Sequence, residues 1–359
     1  MNRSADERAA SVVRPEIFAL SAYAVANPGE LVKLDAMENP YGLPQAMRDR
    51  IAAAVRDVPI NRYPDGHAEP VQRALRRACG IGDDLAILLG NGSDELIQII
   101  TCALARPGAV MAAPEPSFVM YRTNALHAGM RFVGVELRED FSLDATAWQQ
   151  VLARDKPALV FMAYPNNPTA NLFSREAVEA IITQAPGLVV IDEAYHAFAG
   201  ATFIEDIGRF PNLVVLRTLS KLGMAGLRLG YAVGSPAWIS QFDKLRPPYN
   251  INALTQAVVS VLLGDPDVFD AQARSLCAER TRVIREVRSM PGLTVYDSSA
   301  NFIVVRVPNA PQCFEGLKSA GILVKNLHGY HPRVQHCLRV TIGTTQENDL
   351  FLGALRKLT

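Results

Sequence analysis

A glycine turn, an amide pair, a carboxylate, a phenol, a lysine and an arginine carry the chemical potential of this chain. Gly90-Asn91-Gly92-Ser93-Asp94 follows an apolar run and opens a helical pattern. Two glycines before a helix N-terminus can cradle a phosphate, because free backbone N–H groups and the helix dipole favour an anion. Taken alone, such a turn is common. Asn166-Asn167-Pro168-Thr169 follows ALVFMAYP and in isolation reads as a capped turn. Asp192 ends the run LVVID, with Glu193, Ala194 and Tyr195 after it. A carboxylate ending a buried strand needs a partner, either a protein cation or a ligand. Thr218-Leu219-Ser220-Lys221 ends the next run, and Arg228 lies seven residues beyond the lysine. A lone loop lysine is solvated, whereas one at the lip of a buried strand is costly unless paired or covalently engaged.

The elements that must position these groups are legible as an alternation. Strand-like runs occur at 86–90, 109–114, 130–137, 158–165, 188–192, 212–219 and 230–235. Each is short and apolar on successive positions, as in strands buried on both faces of a parallel sheet. Helical patterns lie between, at 94–105 and 174–185. Ser174 is placed to cap the second, with Ala177, Ile181 and Ile182 on one apolar face. This is a βαβ rhythm, and the predicted class is α/β with a mostly parallel seven-stranded sheet. In such sheets ligands bind at the carboxyl ends of the strands, where the groups above all fall. Together they are the set needed to hold pyridoxal 5′-phosphate.

The rhythm breaks at RPPYN (246–250), where two prolines end any helix. A long helical region follows at 253–289, interrupted near Gly264–Pro266, and then a β-rich pattern. The expected division is an N-terminal arm with part of a small domain (1–45), a large domain (46–248) and a small α+β domain (249–359).

Composition narrows the classes. The chain has 359 residues, 49% hydrophobic and 20% charged, with 36 basic and 36 acidic side chains. A net charge of zero argues against a general nucleic-acid or anionic-membrane binder. No run approaches the roughly 18 apolar residues of a membrane span, and the polar opening MNRSADERAA does not read as a secretory signal. The five cysteines are scattered without ligand spacing, so buried structural thiols in a reducing cytoplasm are expected, and no metal site. A dinucleotide fingerprint fails because position 95 is Glu where that pattern wants Gly or Ala.

The order and spacing of the motifs resemble the fold-type I aminotransferases, with a large and a small domain. The nearer resemblance is to the histidinol-phosphate aminotransferases, through ENPYG (38–42), NRYPDG (61–66), GNGSDELI (90–97), YPNNPTA (164–170), IDEAY (191–195), TLSK with GLRLGY (218–231), ANFI (300–303) and CLRVTIGT (337–344). It spans nearly the whole chain. It implies that Lys221 is the amine that joins the cofactor aldehyde and later shuttles a proton. It implies that Asp192 pairs with the pyridine nitrogen and that Asn167 and Tyr195 donate to the ring oxygen. The phosphate is then held by Gly92, Ser93, Asp94, Thr218, Ser220 and Arg228, whose planar guanidinium suits it. Phe118 falls where the family stacks an aromatic ring on the cofactor. Tyr63 resembles a residue that reaches the cofactor phosphate of a second subunit, which implies a homodimer with shared sites.

The same resemblance assigns substrate contacts to Tyr23, Asn167, Lys325 and Arg339, the last for the carboxylate of glutamate or the phosphate of histidinol phosphate. Lys325 stands where relatives often carry arginine, and Met37 where they often carry asparagine. Ala170 replaces the usual glycine, so its backbone is expected to be ordinary. The loop residues His328, Tyr330 and His331 read as a rim. The implied reaction is transamination between L-histidinol phosphate and 2-oxoglutarate, giving imidazole acetol phosphate and L-glutamate, in histidine biosynthesis. The rivals are an aromatic amino-acid aminotransferase or a phospho-amino-acid decarboxylase of the same fold, either of which would share Lys221, Asp192 and Arg228.

Overall fold

The computed structural model describes residues 4–22 and 27–358. Thirteen strands lie among them: β1 (Val32–Lys33), β2 (Ala86–Asn91), β3 (Val110–Glu115), β4 (Arg131–Glu136), β5 (Leu159–Ala163), β6 (Leu188–Asp192), β7 (Leu213–Thr218), β8 (Leu229–Gly234), β9 (Thr294–Val295), β10 (Phe302–Arg306), β11 (Ile322–Leu323), β12 (Lys325–Asn326) and β13 (Cys337–Thr341). The seven runs read from the sequence are β2 to β8. They form one sheet in the order β2-β8-β7-β6-β5-β3-β4. β5, β6, β7 and β8 are buried at every position, which is why their sequences are continuously apolar rather than alternating. Along β5, Val160 and Met162 enter one core layer while Leu159, Phe161 and Ala163 enter the other.

Six strands run parallel, and β8 runs antiparallel to both β2 and β7. This single reversal positions the site. β8 begins where its two neighbours end, with Leu229 opposite Asn91 and Gly230 opposite Thr218. Arg228, the residue before β8, therefore lies beside both the Gly92 turn and the Thr218 turn. Ser174 caps the helix Arg175–Gln184 by accepting from the Ala177 amide at 3.3 Å.

A second sheet, β12-β13-β10-β9, is antiparallel. β1 pairs in parallel with β11, Val32 opposite Ile322. The segment after β1 then runs beside β13, where Thr341 N donates to Leu34 O (2.9 Å) and Met37 N donates to Thr341 Oγ1 (2.9 Å). The interrupted helical region is two helices, Ala253–Leu262 and Pro266–Arg288, the first capped by Asn252.

Two expectations need correction. Ala170 has φ +67 and is fully buried. Its amide closes a turn on Asn166 O (2.8 Å) while its carbonyl accepts from Ser299 N (2.8 Å), so the tertiary contacts impose the left-handed conformation at a cost of about 1–2 kcal/mol. The cysteines are not uniformly buried. Cys313 and Cys337 are, with thiols pushed by burial up to about 11, but Cys79 and Cys277 are half-buried and Cys102 is exposed on the helix that follows β2. Among the described residues no helix is long and apolar enough to cross a membrane.

Candidate active site

At the carboxyl ends of β2, β6 and β7 lies a cleft where polar groups from several strand ends converge. One wall is the start of the helix Gly92–Leu104. No side chain caps its N-terminus, because the Asn91 amide is turned away to Asn250 O (2.8 Å). Gly92 has φ +76, and a Cβ there would meet Arg228 Nη2 at 2.6 Å. Gly230 is under a tighter constraint, since a Cβ would strike Ser93 N at 2.5 Å. The two glycines thus let backbone and guanidinium converge on the helix start. Ser93, Asp94, Thr218, Ser220 and Arg228 line this end, with Arg228 Nη2 3.5 Å from Asp94 Oδ2. Thr218 Oγ1 donates to Ser220 Oγ at 3.0 Å. Free amides, three hydroxyls and a half-exposed guanidinium form an anion cradle.

At the inner end Asp192 closes β6. It is only 4% exposed, and burial raises its carboxyl to about 6. Two protein donors oppose that rise. Tyr121 Oη donates to Oδ2 at 2.7 Å and Ala194 N donates to Oδ1 at 3.1 Å. A carboxylate has about four acceptor positions, so capacity remains on the cleft side.

Lys221 sits in the turn after β7, its ammonium donating to Ala36 O at 3.0 Å. Burial, with a smaller contribution from the Arg339 charge, lowers its amine to about 8. A usable fraction is therefore neutral and nucleophilic near physiological pH.

The NNPT turn divides its labour. Asn166 is structural: its amide donates to Pro116 O (3.0 Å) and Thr169 Oγ1 (2.7 Å), and it accepts from Ser117 Oγ (2.8 Å). Asn167 faces the cleft, where its amide donates to Tyr195 Oη at 3.2 Å and its carbonyl accepts from Arg339 Nη1 at 2.7 Å. Burial raises the Tyr195 phenol well above its ordinary value, so it stays a donor. Phe118 lines the same cleft.

Ten of the twelve expected cofactor contacts line this one cleft, and Gly92 supports it from behind. Tyr63 does not line it. That side chain is 81% exposed and stacks on Tyr249 with ring centres 4.5 Å apart. Lys325 is exposed and lies opposite Arg339 in the β12–β13 register, on the same face of that sheet. Tyr23 lies outside the described residues. Tyr330 donates to Ser117 O (2.9 Å) and His331 meets Glu136 (3.2 Å), so the loop rests on the large sheet beside the cleft.

Sequence reasoning missed Tyr121. It stands three residues after Phe118 in SFVMY, one turn along the helix Val119–His127, and that i, i+3 spacing was the available signal. Met37 also lines the cleft, held with φ +54.

The donor set fits pyridoxal 5′-phosphate. The cradle offers amides, hydroxyls and a guanidinium to a phosphate, the ionised Asp192 suits a ring cation, and Lys221 supplies an amine for an aldehyde. Residues 29–355 match the family described as aminotransferase class I and II. The chain is a class I and II aminotransferase. Among similar proteins of this family, the histidinol-phosphate aminotransferase of Chromobacterium violaceum is 51% identical over 346 residues, covering 96% of this chain and 97% of that one. Histidinol-phosphate aminotransferase 2 of Nitrosococcus oceani is 49% identical, with 98% of each chain covered. The crystal structure of the Sinorhizobium meliloti histidinol-phosphate aminotransferase, in complex with pyridoxal-5′-phosphate, superposes with a TM-score of 0.86 at 25% identity over 97% of both chains. The aminotransferase expected from the motifs is therefore the family found, with the fold-type I architecture and a pyridoxal-phosphate cofactor.

Proposed function

We propose that this aminotransferase moves an amino group between L-histidinol phosphate and 2-oxoglutarate, yielding imidazole acetol phosphate and L-glutamate, a step of histidine biosynthesis. The observation that carries this reading is the near-complete alignment with relatives of that name, 51% and 49% identical, in a chain whose cleft gathers Lys221, Asp192 and the anion cradle. The aromatic alternative is not favoured by those relatives.

When bound, the cofactor supplies an aldehyde that accepts the amino group and a ring that accepts electron density from the substrate carbon. The phosphate would be held by the Gly92, Ser93 and Asp94 turn with Thr218, Ser220 and Arg228. Asp192 would face the ring nitrogen, and its negative charge favours the protonated ring. Asn167 and Tyr195 would donate to the ring oxygen. Phe118 would cover one face of the ring. The Lys221 nitrogen would bind the aldehyde carbon and, when displaced, move a proton at the substrate α-carbon. Its lowered basicity, to about 8, lets it act as a base and as an acid within one turnover. Arg339 would take the acidic group of each substrate, with Lys325 and Tyr23 adding contacts to the substrate phosphate.

Tyr63 projects from the surface beside exposed Ile60 and Tyr249, which supports a homodimer in which it serves the partner's cofactor phosphate. The division into arm (1–45), large domain (46–248) and small domain (249–359) and a cytoplasmic location belong to the same reading. The test is turnover of L-histidinol phosphate with 2-oxoglutarate, compared with phenylalanine as donor. A kcat/KM for phenylalanine equal to or above that for histidinol phosphate would move the assignment to the aromatic enzymes.

A further inference from the structure

One buried hydroxyl near the cleft is not used by the roles above. Tyr121 is 1% exposed, on the helix Val119–His127. Its ring lies flat on Phe161 (4.7 Å between centres, 6°) and meets Phe118 edge-on (5.6 Å, 86°), so it has one orientation. That orientation delivers its hydroxyl to Asp192 Oδ2 at 2.7 Å.

We propose that Tyr121 is the positioning residue of Asp192, keeping the carboxylate ionised and its free lone pairs turned into the cleft toward a protonated ring nitrogen. The inference rests on the aminotransferase reading of the cleft and deepens it. Tyr121, Asp94, Glu193 and Tyr195 act most strongly on Asp192, and the cations Lys221 and Arg228 line the same cleft. Among the described residues neither cation forms an ion pair with Asp192, and both acids oppose its ionisation. The charge is therefore sustained by two hydrogen-bond donors, the Ala194 amide and the Tyr121 hydroxyl. A hydrogen bond to a charged group is worth more than a neutral one, so losing the hydroxyl is felt mainly by the ionised form.

The sign follows. The carboxyl of Asp192 lies at about 6, above its ordinary value, because of burial. Removing a donor from the charged form raises it further. In the cofactor-free protein a proton then competes with the cofactor at Asp192 over a wider pH range. Tyr121→Phe keeps the ring stack and deletes only the hydroxyl. For a further rise of about one pKa unit, its cofactor affinity relative to the wild type falls about fivefold at pH 6 and stays within about twofold at pH 8.5. The titration of the cofactor's own phosphate cancels in the ratio.

The experiment is a fluorescence titration of the full-length, cofactor-stripped protein with pyridoxal 5′-phosphate at pH 6, 7 and 8.5, wild type against Tyr121→Phe. A pH-dependent ratio is the expected result. A ratio that is the same at all three pH values, or no loss at any, overturns the proposal by reducing Tyr121 to packing. Phe161→Leu, which loosens the stack and leaves the hydroxyl in place, is the second variant. It should give a weaker loss with the same pH trend, and a flat profile would again count against the proposal. Failure of the wild type to bind the cofactor at any pH would instead sink the aminotransferase reading, so the two failures are distinguishable.

Discussion

Arg339 Nη1 donates to Asn167 Oδ1 at 2.7 Å, joining the middle of β13 to the turn after β5 at the mouth of the cleft. Nη2 of the same guanidinium donates to Asp35 O at 2.9 Å, and its plane stands over Phe302, 5.6 Å from the ring centre. A planar fork held by two fixed acceptors is already oriented; if it receives an acidic substrate, as proposed, the ordering cost of binding would be lower.

Arg339→Lys should therefore raise KM for both glutamate and histidinol phosphate by roughly tenfold or more, because a point charge cannot reproduce a bidentate fork. Cofactor affinity should change little. Steady-state kinetics with both donors, beside a cofactor titration, checks this. An unchanged KM for both would remove Arg339 from substrate binding.

Gly230→Ala should weaken the cofactor far more than its small added volume suggests. The new Cβ would fall 2.5 Å from Ser93 N and from the Gly92 carbonyl carbon, both backbone atoms that cannot rotate away. Either β8 or the start of the helix Gly92–Leu104 must shift, and the cradle with it. The expected loss in affinity is about tenfold or more. A binding titration decides, and affinity equal to the wild type would mean the cradle is not where the phosphate is held.

Behind the cleft, Glu193 and Arg217 form a buried ion pair at 2.8 Å, linking the end of β6 to β7. Glu193 also accepts from Thr202 Oγ1 (3.0 Å) and Phe203 N (2.6 Å). Glu193→Ala leaves the guanidinium buried without its countercharge, and about 3–5 kcal/mol of stability should be lost. Urea unfolding measures it. A loss below about 1 kcal/mol would mean that water or a rearranged neighbour replaces the carboxylate.

Burial, with the nearby Arg217 charge, lowers the His196 imidazole to about 3. Its folded-state pKa lies below the unfolded value, so its contribution is fully present above about pH 6.5 and is lost as pH falls toward 3. Asp192 acts oppositely, being raised to about 6, and stabilises increasingly as pH falls from about 6 to 4. The stability difference between wild type and His196→Asn should shrink by roughly 3 kcal/mol from pH 7 to pH 4. Urea unfolding of both proteins at those two pH values checks it, and a constant difference would show that His196 is not buried neutral.

The seven strand runs were readable because burial on both faces demands continuous apolar sequence, and the ends of every one of them are found within two residues of their expected places. The reversed direction of β8 was not, since LGYAVG is as apolar as its parallel neighbours and burial does not encode direction. The cleft was readable where several groups fall together at strand ends, as with Lys221 and Asp192, although each taken singly has a structural reading. Tyr121 was hidden because a phenol in a helix reads as core until its hydroxyl is seen to have a partner. Ala170 went wrong for a related reason: the contact that its carbonyl makes with Ser299 N lies far away in sequence, outside any local pattern.

The central claim is most directly tested by the visible absorption of the cofactor-loaded protein before and after L-histidinol phosphate, with no keto acid present. The account expects the resting band to give way to that of the amino form of the cofactor and to return on adding 2-oxoglutarate, with Lys221→Ala unable to cycle. A band untouched by histidinol phosphate but lost with phenylalanine or tyrosine would contradict the substrate assignment, and no band after reconstitution with pyridoxal 5′-phosphate would contradict the account as a whole.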